Sequence, residues 1–488
     1  MTSRASIRFL RRGEIVELRD VPPMRTVLDY LRLEERSRGT KEGCNEGDCG
    51  ACTVALGSLR DGKLVYEPVN ACILLLGQLD GKELVSVDDL STDGQLHPVQ
   101  QALVDTHGSQ CGFCTPGFVM SLFTLYQQGG APTRSEIATH VAGNLCRCTG
   151  YRPIIDAGIA ACTGKPMDRW AKEAKRAAAR FACLDDGADV FIGTAESFIA
   201  RPAHAETLAQ LAAEHPDATI VSGATDVGLW ITKQLRDLPK IILTGGVKEL
   251  HAVDVMDGHV RIGAAATYAQ ATPALSSIDE DLGEVLRRLG STQVRASGTV
   301  GGNIANGSPI GDMPPALIAL GATLTLRHGA RERMLPLEDF FIAYGKQDRQ
   351  PGELVWRIDV PKLKPGEAFR AFKVSKRFDQ DISAVMSAFK LTLDGRRIAS
   401  ARIAFGGMAA TPKRAAAAEA ALAGALLDQP ASWEPAISAL ARDFAPISDM
   451  RASASYRMEV AQGLLRKALM EVSGTSATRV VGERKAVA

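Results

Sequence analysis

Short apolar runs dominate the first ninety residues. IRFLRRGEIVEL (7–18) reads as two strands turning at Gly13, and TVLDYLRLEE (26–35) has helical spacing. CTVAL (52–56), KLVYEPV (63–69) and ELVSV (83–87) read as strands again. From 90 to 165 the period lengthens. HPVQQALVDTHG (97–108), FVMSLFTLYQQ (118–128) and RSEIATHVAGN (134–144) place apolar residues at helical spacing between Pro and Gly, with Ser135 and Glu136 at a helix start. A charged, alanine-rich stretch (167–189) reads as a partly helical connector. Beyond about 190 the pattern is α/β. TIVSGATDVGLW (219–230), IILTGG (241–246), VRIGAAATY (260–268) and TLTLRHG (323–329) mix strands with glycine turns. FRAFKV (369–374), VMSAFKLTLD (385–394) and IASARIAFGG (398–407) are strands, followed by the helical RAAAAEAALAGALL (414–427) and YRMEVAQGLLRKALMEV (456–472). The last thirteen or so residues read as disordered. No internal repeat is visible.

A chain of 488 residues is too long for one core, and a prior of roughly 100 to 200 residues per domain gives about three or four domains. With 45% apolar and 23% charged residues and a net charge of +1, nothing suggests nucleic acid or an anionic membrane as partner. The longest apolar runs, ACILLLGQL (71–79) and ALIALGATLTL (316–326), fall short of the ~18 residues of a membrane helix. Arg11-Arg12 has no apolar run after it and does not read as an export signal, so a cytoplasmic location is expected. In a reducing compartment the ten cysteines are ligands or free thiols rather than a disulfide framework.

Those cysteines are crowded into the N-terminal third. Cys44, Cys49, Cys52 and Cys72 read C-x4-C-x2-C-x19-C, the spacing of plant-type ferredoxins. Gly43, Gly47 and Gly50 permit backbone conformations that aim amide N–H groups at cluster sulfurs. A structural zinc site more typically shows paired CxxC knuckles without an x4 loop. Cys111, Cys114, Cys146 and Cys148 form two short pairs behind that loop, suited to a second [2Fe–2S] cluster, with zinc or a regulatory disulfide as alternatives. Gly112, Pro116, Gly117, Gly143 and Gly150 read as punctuation of those turns. Cys162 and Cys183 have no partner at ligand spacing, and His97, His107 and His140 read as core or surface residues. SGATDVG (222–228) and ASGTVGGNIANGSPIGDMPP (296–315) concentrate glycines beside small hydroxyls. They suit either a nucleotide pyrophosphate or tight α/β turns, and neither is a GxGxxG or Walker loop. Two one-electron centres need a terminal, and a flavin is the economical two-electron choice for the cysteine-free remainder.

EGCNEGDCGACTV (42–54), GSQCGFCTPGFVMS (108–121), GNLCRCTGYRPI (143–154), TVGGNIANGSPIGDMPP (299–315) and FKVSKRFDQDIS (372–383) together resemble the molybdenum hydroxylase family, specifically the small iron–sulfur/FAD subunits of bacterial xanthine dehydrogenases. The resemblance covers about 5–475. It implies a multidomain α+β chain: a β-grasp ferredoxin-like [2Fe–2S] domain (1–87), a helical-bundle [2Fe–2S] domain (88–165), a linker (166–189), a vanillyl-alcohol-oxidase-type FAD domain (190–366), an α+β C-terminal flavoprotein domain (367–475) and a disordered tail (476–488). Each cysteine quartet would hold one cluster, and Gln110 matches a glutamine that faces the molybdopterin. FAD would lie against Val221, Ser222, Gly223, Ala224, Thr225, Asp226, Val227 and Gly228, and against Thr299, Val300, Gly301, Gly302 and Asn303. Asp312, Val355 and Lys373 match further FAD contacts. Leu289 matches a position that is aromatic in the animal enzymes, and FFIAYGKQ (340–347) resembles the loop near flavin and NAD.

No catalytic residue is expected on this chain itself. The molybdenum domains of the family are missing from it, so a large partner subunit is expected to hold the molybdenum cofactor, in a heterotetramer with two copies of each chain. The implied function is to carry electrons from hypoxanthine or xanthine oxidation, through two [2Fe–2S] clusters and FAD, to NAD+. An aldehyde, nicotinate or aromatic acyl-CoA hydroxylase is the alternative within the family. A zinc-stapled binding protein is the alternative outside it.

Overall fold

The structure is a computed structural model, described for residues 3–474, 478 and 479. The chain forms two compact units. One runs up to Glu249 and includes Gly290–Thr299. The other comprises Leu250–Leu289 and the chain from Val300 onward.

The first unit contains two five-stranded sheets. In sheet order, the first is Glu14–Leu18, Ile7–Arg11, Glu83–Val85, Thr53–Arg60 and Lys63–Asn70. Ile7–Arg11 runs parallel to Glu83–Val85, and the other pairs are antiparallel. Alternation explains the pairing, because Ile7, Phe9, Val54 and Leu56 point into one apolar core with Leu28 and Leu31. The helical stretch after Thr26 begins as an α-turn capped by the Thr26 hydroxyl and widens into a π-turn over Tyr30–Glu34.

The second sheet has the order Ser3–Arg4, Asp189–Gly193, Phe198–Arg201, Lys240–Leu243 and Thr219–Val221. Its edge is the start of the chain, lying parallel to Asp189 and Val190. Arg4 and Arg201 both reach the buried carboxylate of Asp80, at 2.9 and 3.0 Å. Two glycine-free contacts could not be made here. A Cβ at Gly77 would sit within 3.0 Å of Ile199, and one at Gly228 would lie 2.6 Å from Ile73 Cβ, so strand and turn interlock at both points.

Between the sheets in sequence come Pro98–Asp105, Thr115–Gln128, Arg134–His140 and Arg152–Ala161, then the longer Arg169–Leu184 across the connector. The third of these is capped two residues earlier than Ser135 suggests. Thr133 is the cap, because its hydroxyl accepts from Glu136 N–H while the Glu136 carboxylate takes Thr133 N–H, a closed capping box.

The second unit has an antiparallel sheet ordered Val253–Val255, His259–Gly263, Leu354–Pro361, Thr323–His328 and Arg331–Pro336. It also has an antiparallel sheet of Glu367–Val374, Val385–Asp394, Arg397–Gly406 and Lys413–Arg414. Helices Glu434–Asp443 and Ala454–Ser473 cover the latter sheet through Trp433, Leu440, Leu465 and Leu469. Trp433 is 1% exposed and its Nε1–H donates to the Leu426 carbonyl at 2.9 Å. Trp433→Ala removes a fully buried ring, so unfolding in urea is expected to show a loss of about 3–5 kcal/mol in this unit. Of the expected disordered tail, only Thr478 and Arg479 are described. Thr478 accepts from Lys467 Nζ, and Arg479 pairs with Glu471 and Asp281; the rest of 476–488 lies outside the described residues.

Candidate functional site

The loop from Gly43 to Cys52 turns through left-handed conformations at Asn45, Gly47 and Gly50 (φ 55, 78 and 67°). These turns point amides inward. Asp48 N–H and Cys49 N–H both donate to Cys44 Sγ at 3.3 Å, and Cys44 N–H donates to Cys49 Sγ at 3.3 Å. Asn70 Nδ2 ties the loop to the strand before Cys72 by donating to the Gly47 carbonyl at 2.8 Å. The hydrogen bond shared with Cys49, together with the surrounding amides, holds the Cys44 thiol down at about 5 against the opposing effect of burial. Cys52 and Cys72 are buried side by side, and Cys52 Sγ lies 4.0 Å from Asn70 Oδ1.

The second quartet stands at helix starts. Cys114 caps Thr115–Gln128, with Pro116 in its first turn, and Cys146 and Cys148 precede Arg152–Ala161. Gly112, Gly150 and Tyr151 take positive φ in these turns. Thr149 N–H and the Thr149 hydroxyl lie 3.5 and 3.1 Å from Cys146 Sγ, and Cys146 N–H donates to the Tyr151 hydroxyl. Cys114 lies beside Cys146, and Cys148 beside Cys111.

Each quartet therefore divides into two thiol pairs: Cys44 with Cys49 and Cys52 with Cys72, then Cys114 with Cys146 and Cys111 with Cys148. Among the described residues no group of three or more His, Cys, Asp or Glu is arranged to hold a single metal ion. Two pairs per quartet, with backbone N–H donors aimed at sulfur, fit a two-iron cluster carrying two thiolates on each iron. A tetrahedral zinc site needs four ligands converging on one centre.

The two quartets are joined. Leu145 N–H donates to the Cys49 carbonyl at 2.9 Å, and Asn144 Nδ2 donates to the Gly50 carbonyl at 3.0 Å. Ser121 Oγ donates to Asn144 Oδ1 at 2.6 Å. This contact corrects the reading of Gly117 as turn punctuation, since Gly117 lies inside a helix, while Gly143 does sit in a turn, closed by Asn144 N–H on the Val141 carbonyl. Each is bare because another backbone or a buried amide comes so close: a Cβ at Gly117 would press into the Gly50 carbonyl, and one at Gly143 into Gln293. A spacing pattern carries no sign of such contacts; the hint was a small residue at a helical position with no turn to make.

The histidines lie away from both quartets as ligands. His97 caps a helix and meets Asp168 at 2.9 Å. His140 is buried with Nε2 2.9 Å from the Ser121 carbonyl. Burial, with the Arg295 charge adding to it, pushes His140 down to about 4, so it is neutral in the folded chain. The unfolded chain regains a value near 6.5. The stability this residue contributes is complete above ~6.5 and is lost as pH falls toward 4, amounting to roughly 3 kcal/mol. Urea unfolding at stepped pH is expected to show that loss, and His140→Gln to make the slope shallower.

The glycine segments fall in both units. In the first, Val221 ends a strand, Ala224 takes φ 59°, and Gly228 enters the helix Val227–Thr232. Gln78 Nε2 donates to the Ser222 carbonyl at 2.8 Å, and Gly223 packs against the backbone at Ser297. Burial raises the Asp226 carboxyl, which accepts from Trp230 Nε1. Thr225 lies beside Gly298, and Thr299 is buried.

In the second unit, Val300 and Gly301 begin the helix Val300–Asn306 with their N–H groups on the Ala266 and Ala264 carbonyls. Gly302 is exposed, and Asn303 accepts from the Tyr268 hydroxyl at 2.9 Å. Asp312 and Lys373, expected separately, meet each other. Lys373 Nζ lies 2.6 Å from Asp312 Oδ2, and Ser383 Oγ donates to the other oxygen at 2.5 Å. Val355 is half-buried in its strand and Leu289 is packed into the apolar core. Arg287 and Arg288 bracket the exposed Phe378 ring, 5.2 and 4.5 Å from its centroid, a clamp that pattern reading missed because its parts are ninety residues apart.

Comparison with known proteins follows this layout. Residues 11–76 match the 2Fe-2S iron-sulfur cluster binding domain and 86–158 the [2Fe-2S] binding domain. Residues 194–363 match the FAD binding domain in molybdopterin dehydrogenase, and 370–472 the CO dehydrogenase flavoprotein C-terminal domain. The chain is 32% identical over 498 residues to xanthine dehydrogenase of Emericella nidulans, covering 90% of this chain and 36% of that one. It is 32% identical over 461 residues to xanthine dehydrogenase/oxidase of Rattus norvegicus, covering 84% and 34%. The chain thus spans about a third of the length of these relatives. Among solved structures it resembles carbon monoxide dehydrogenase from Hydrogenophaga pseudoflava (25% identity, TM-score 0.53, 56% of this chain and 95% of that one). It also resembles quinoline 2-oxidoreductase from Pseudomonas putida 86 (25%, 0.52, 58% and 98%). Among the described residues no helix is long and apolar enough to cross a membrane. A multidomain α+β chain with two 2Fe-2S domains ahead of an FAD-binding domain, it belongs to the molybdenum hydroxylase family and corresponds to the iron–sulfur/FAD portion of the xanthine dehydrogenase type.

Proposed function

We propose that this chain is the electron-transfer subunit of a xanthine dehydrogenase. The observation that carries the reading is the joint between the cysteine quartets, where Leu145, next to Cys146, bonds directly to the Cys49 carbonyl. Two ligand sets joined through one hydrogen bond form a short route between them. Cys44, Cys49, Cys52 and Cys72 would hold one [2Fe–2S] cluster, and Cys111, Cys114, Cys146 and Cys148 the other. Val221 to Gly228, Thr299 to Asn303, Asp312, Val355 and Lys373 would hold FAD. When bound, the clusters supply one-electron transfer and FAD supplies two-electron exchange with NAD+.

The chain's own residues give that route a direction. Cys111 and Cys148 are exposed, beside exposed Gln110, Phe113 and Leu145, and this apolar rim suits docking of a partner that carries molybdopterin. Cys52 and Cys72 are buried, and Ile73, next to Cys72, packs on Gly228 in the glycine loop. With clusters bound, the exposed quartet would face the partner and the quartet containing the buried Cys52 and Cys72 would face the glycine segment. Ile342 and Tyr344, both exposed, stand in the loop assigned to NAD+. Little more than half of this chain matches nearly the whole of each of the solved neighbour chains.

Co-expression with a molybdenum-cofactor-binding chain tests the reading. The expected result is a complex, in cytoplasmic extract, that forms urate from xanthine and reduces NAD+. Turnover of only an aldehyde, a nicotinate or an aromatic acyl-CoA would move the chain to a sister enzyme, and a colourless, zinc-loaded chain would reject the redox reading altogether.

A further inference from the structure

Gln293 lies in the short helix Thr292–Ser297, far in sequence from every cysteine, yet it is 1% exposed and reaches both quartets. Its Nε2 lies 3.2 Å from Thr53 Oγ1, 3.2 Å from Ser121 Oγ and 3.0 Å from Asn144 Oδ1. Thr53 follows Cys52. Asn144 stands two residues before Cys146. Ser121 is on the helix that Cys114 opens.

The amide orientation is fixed by its neighbours. Asn144 Nδ2 donates to the Gly50 carbonyl and to Thr53 Oγ1, and the Ser121 hydroxyl donates to Asn144 Oδ1, so Asn144 Oδ1 is an acceptor and the Gln293 atom 3.0 Å from it must be the donor Nε2. That leaves Gln293 Oε1 buried without a hydrogen-bond partner, over a glycine, Gly143, that has no Cβ to obstruct it. A buried amide oxygen without a donor is costly, and an apolar side chain would avoid the cost. The helix itself is held rigid, since Ser291 Oγ accepts from Val294 N–H and Arg295 Nη1 donates to the Gly290 carbonyl.

We propose that Gln293 is a positioning residue for electron transfer: it holds the start of the strand after Cys52 and the turn before Cys146 at one separation, and so sets the spacing of the two clusters, while neither cluster needs it in order to bind. The inference rests on the reading that each quartet holds a [2Fe–2S] cluster. Tunnelling between two centres falls steeply with their distance, as does the coupling of their spins, so a small drift in spacing registers in both.

The test is low-temperature electron paramagnetic resonance of the full chain, fully reduced with dithionite. The wild-type chain is expected to show two cluster signals split by their mutual coupling; one signal or none would overturn the cluster reading itself. Gln293→Met, of similar length but without the amide, is expected to keep the wild-type iron and FAD content while the splitting narrows or vanishes. Unchanged splitting with a lower unfolding temperature would overturn the proposal in favour of a plain structural role. Loss of one cluster would overturn it in favour of a role in cluster binding. If Gln293→Met fails to fold, Ser121→Ala removes one of the three contacts and is expected to shift the splitting in the same direction by less, and no shift overturns the proposal.

Discussion

Cys44→Ser is expected to yield a chain with about half the wild-type iron and acid-labile sulfide, with FAD retained. Cys44 Sγ accepts from two backbone N–H groups, those of Asp48 and Cys49, against one, from Cys44 itself, at Cys49 Sγ. A serine oxygen takes the same space but binds iron poorly, and the loop's amides then have no sulfur to meet. The helical quartet keeps all four thiols. In complex with its partner, the variant is expected to accept xanthine's electrons at the remaining cluster and lose NADH formation by at least about 1,000-fold, equivalent to about 4 kcal/mol at the barrier. Iron assay and NADH formation on one preparation check both halves. NAD-linked turnover within tenfold of wild type would mean that this loop is not on the route.

Gly223→Ala has the second large effect, and it acts on the flavin. A Cβ here would sit well inside 3.0 Å of the Ser297 carbonyl, a distance real Cβ atoms essentially never show. Both sides of this contact are backbone, so no side chain can swing away, and one glycine segment has to move off the other. The expected outcome is FAD binding weakened at least about 100-fold, some 2.7 kcal/mol, with both clusters present. Flavin absorbance after gel filtration, beside an unchanged iron count, reads it out. Gly258→Ala is the control, since its Cβ meets nothing within 4 Å, and it is expected to keep its FAD.

The two 2Fe-2S domains were legible in sequence because the spacing of their cysteines is local. Loops of two to four residues between thiols constrain geometry tightly, and glycines beside them declare positive φ. The strands of the C-terminal sheet were equally plain, because alternation over ten residues leaves little room for another reading. What escaped has long sequence separation. Asp80 gathers Arg4 from 76 residues before it and Arg201 from 121 after it, so the first strand joins a sheet whose other members begin at Asp189. Gln293 meets Thr53 across 240 residues, and a lone glutamine on a short helix carries no period or motif. Gly117 and Gly143 were visible as glycines but not as points of contact, because only the packed partner shows why a Cβ is forbidden. The cap at Thr133 was missed for a smaller reason: Thr and Ser both cap helices, and the box closes on Glu136 only from three residues before it.

The central claim is that this chain carries electrons from a molybdenum partner through two clusters to FAD and NAD+. Anaerobic addition of xanthine to the assembled complex, followed by absorbance and electron paramagnetic resonance, tests it most directly. The account predicts that flavin absorbance bleaches, two distinct [2Fe–2S] signals appear, and NAD+ reverses all three changes. Xanthine oxidised at the partner with both clusters and the flavin left oxidised would contradict it.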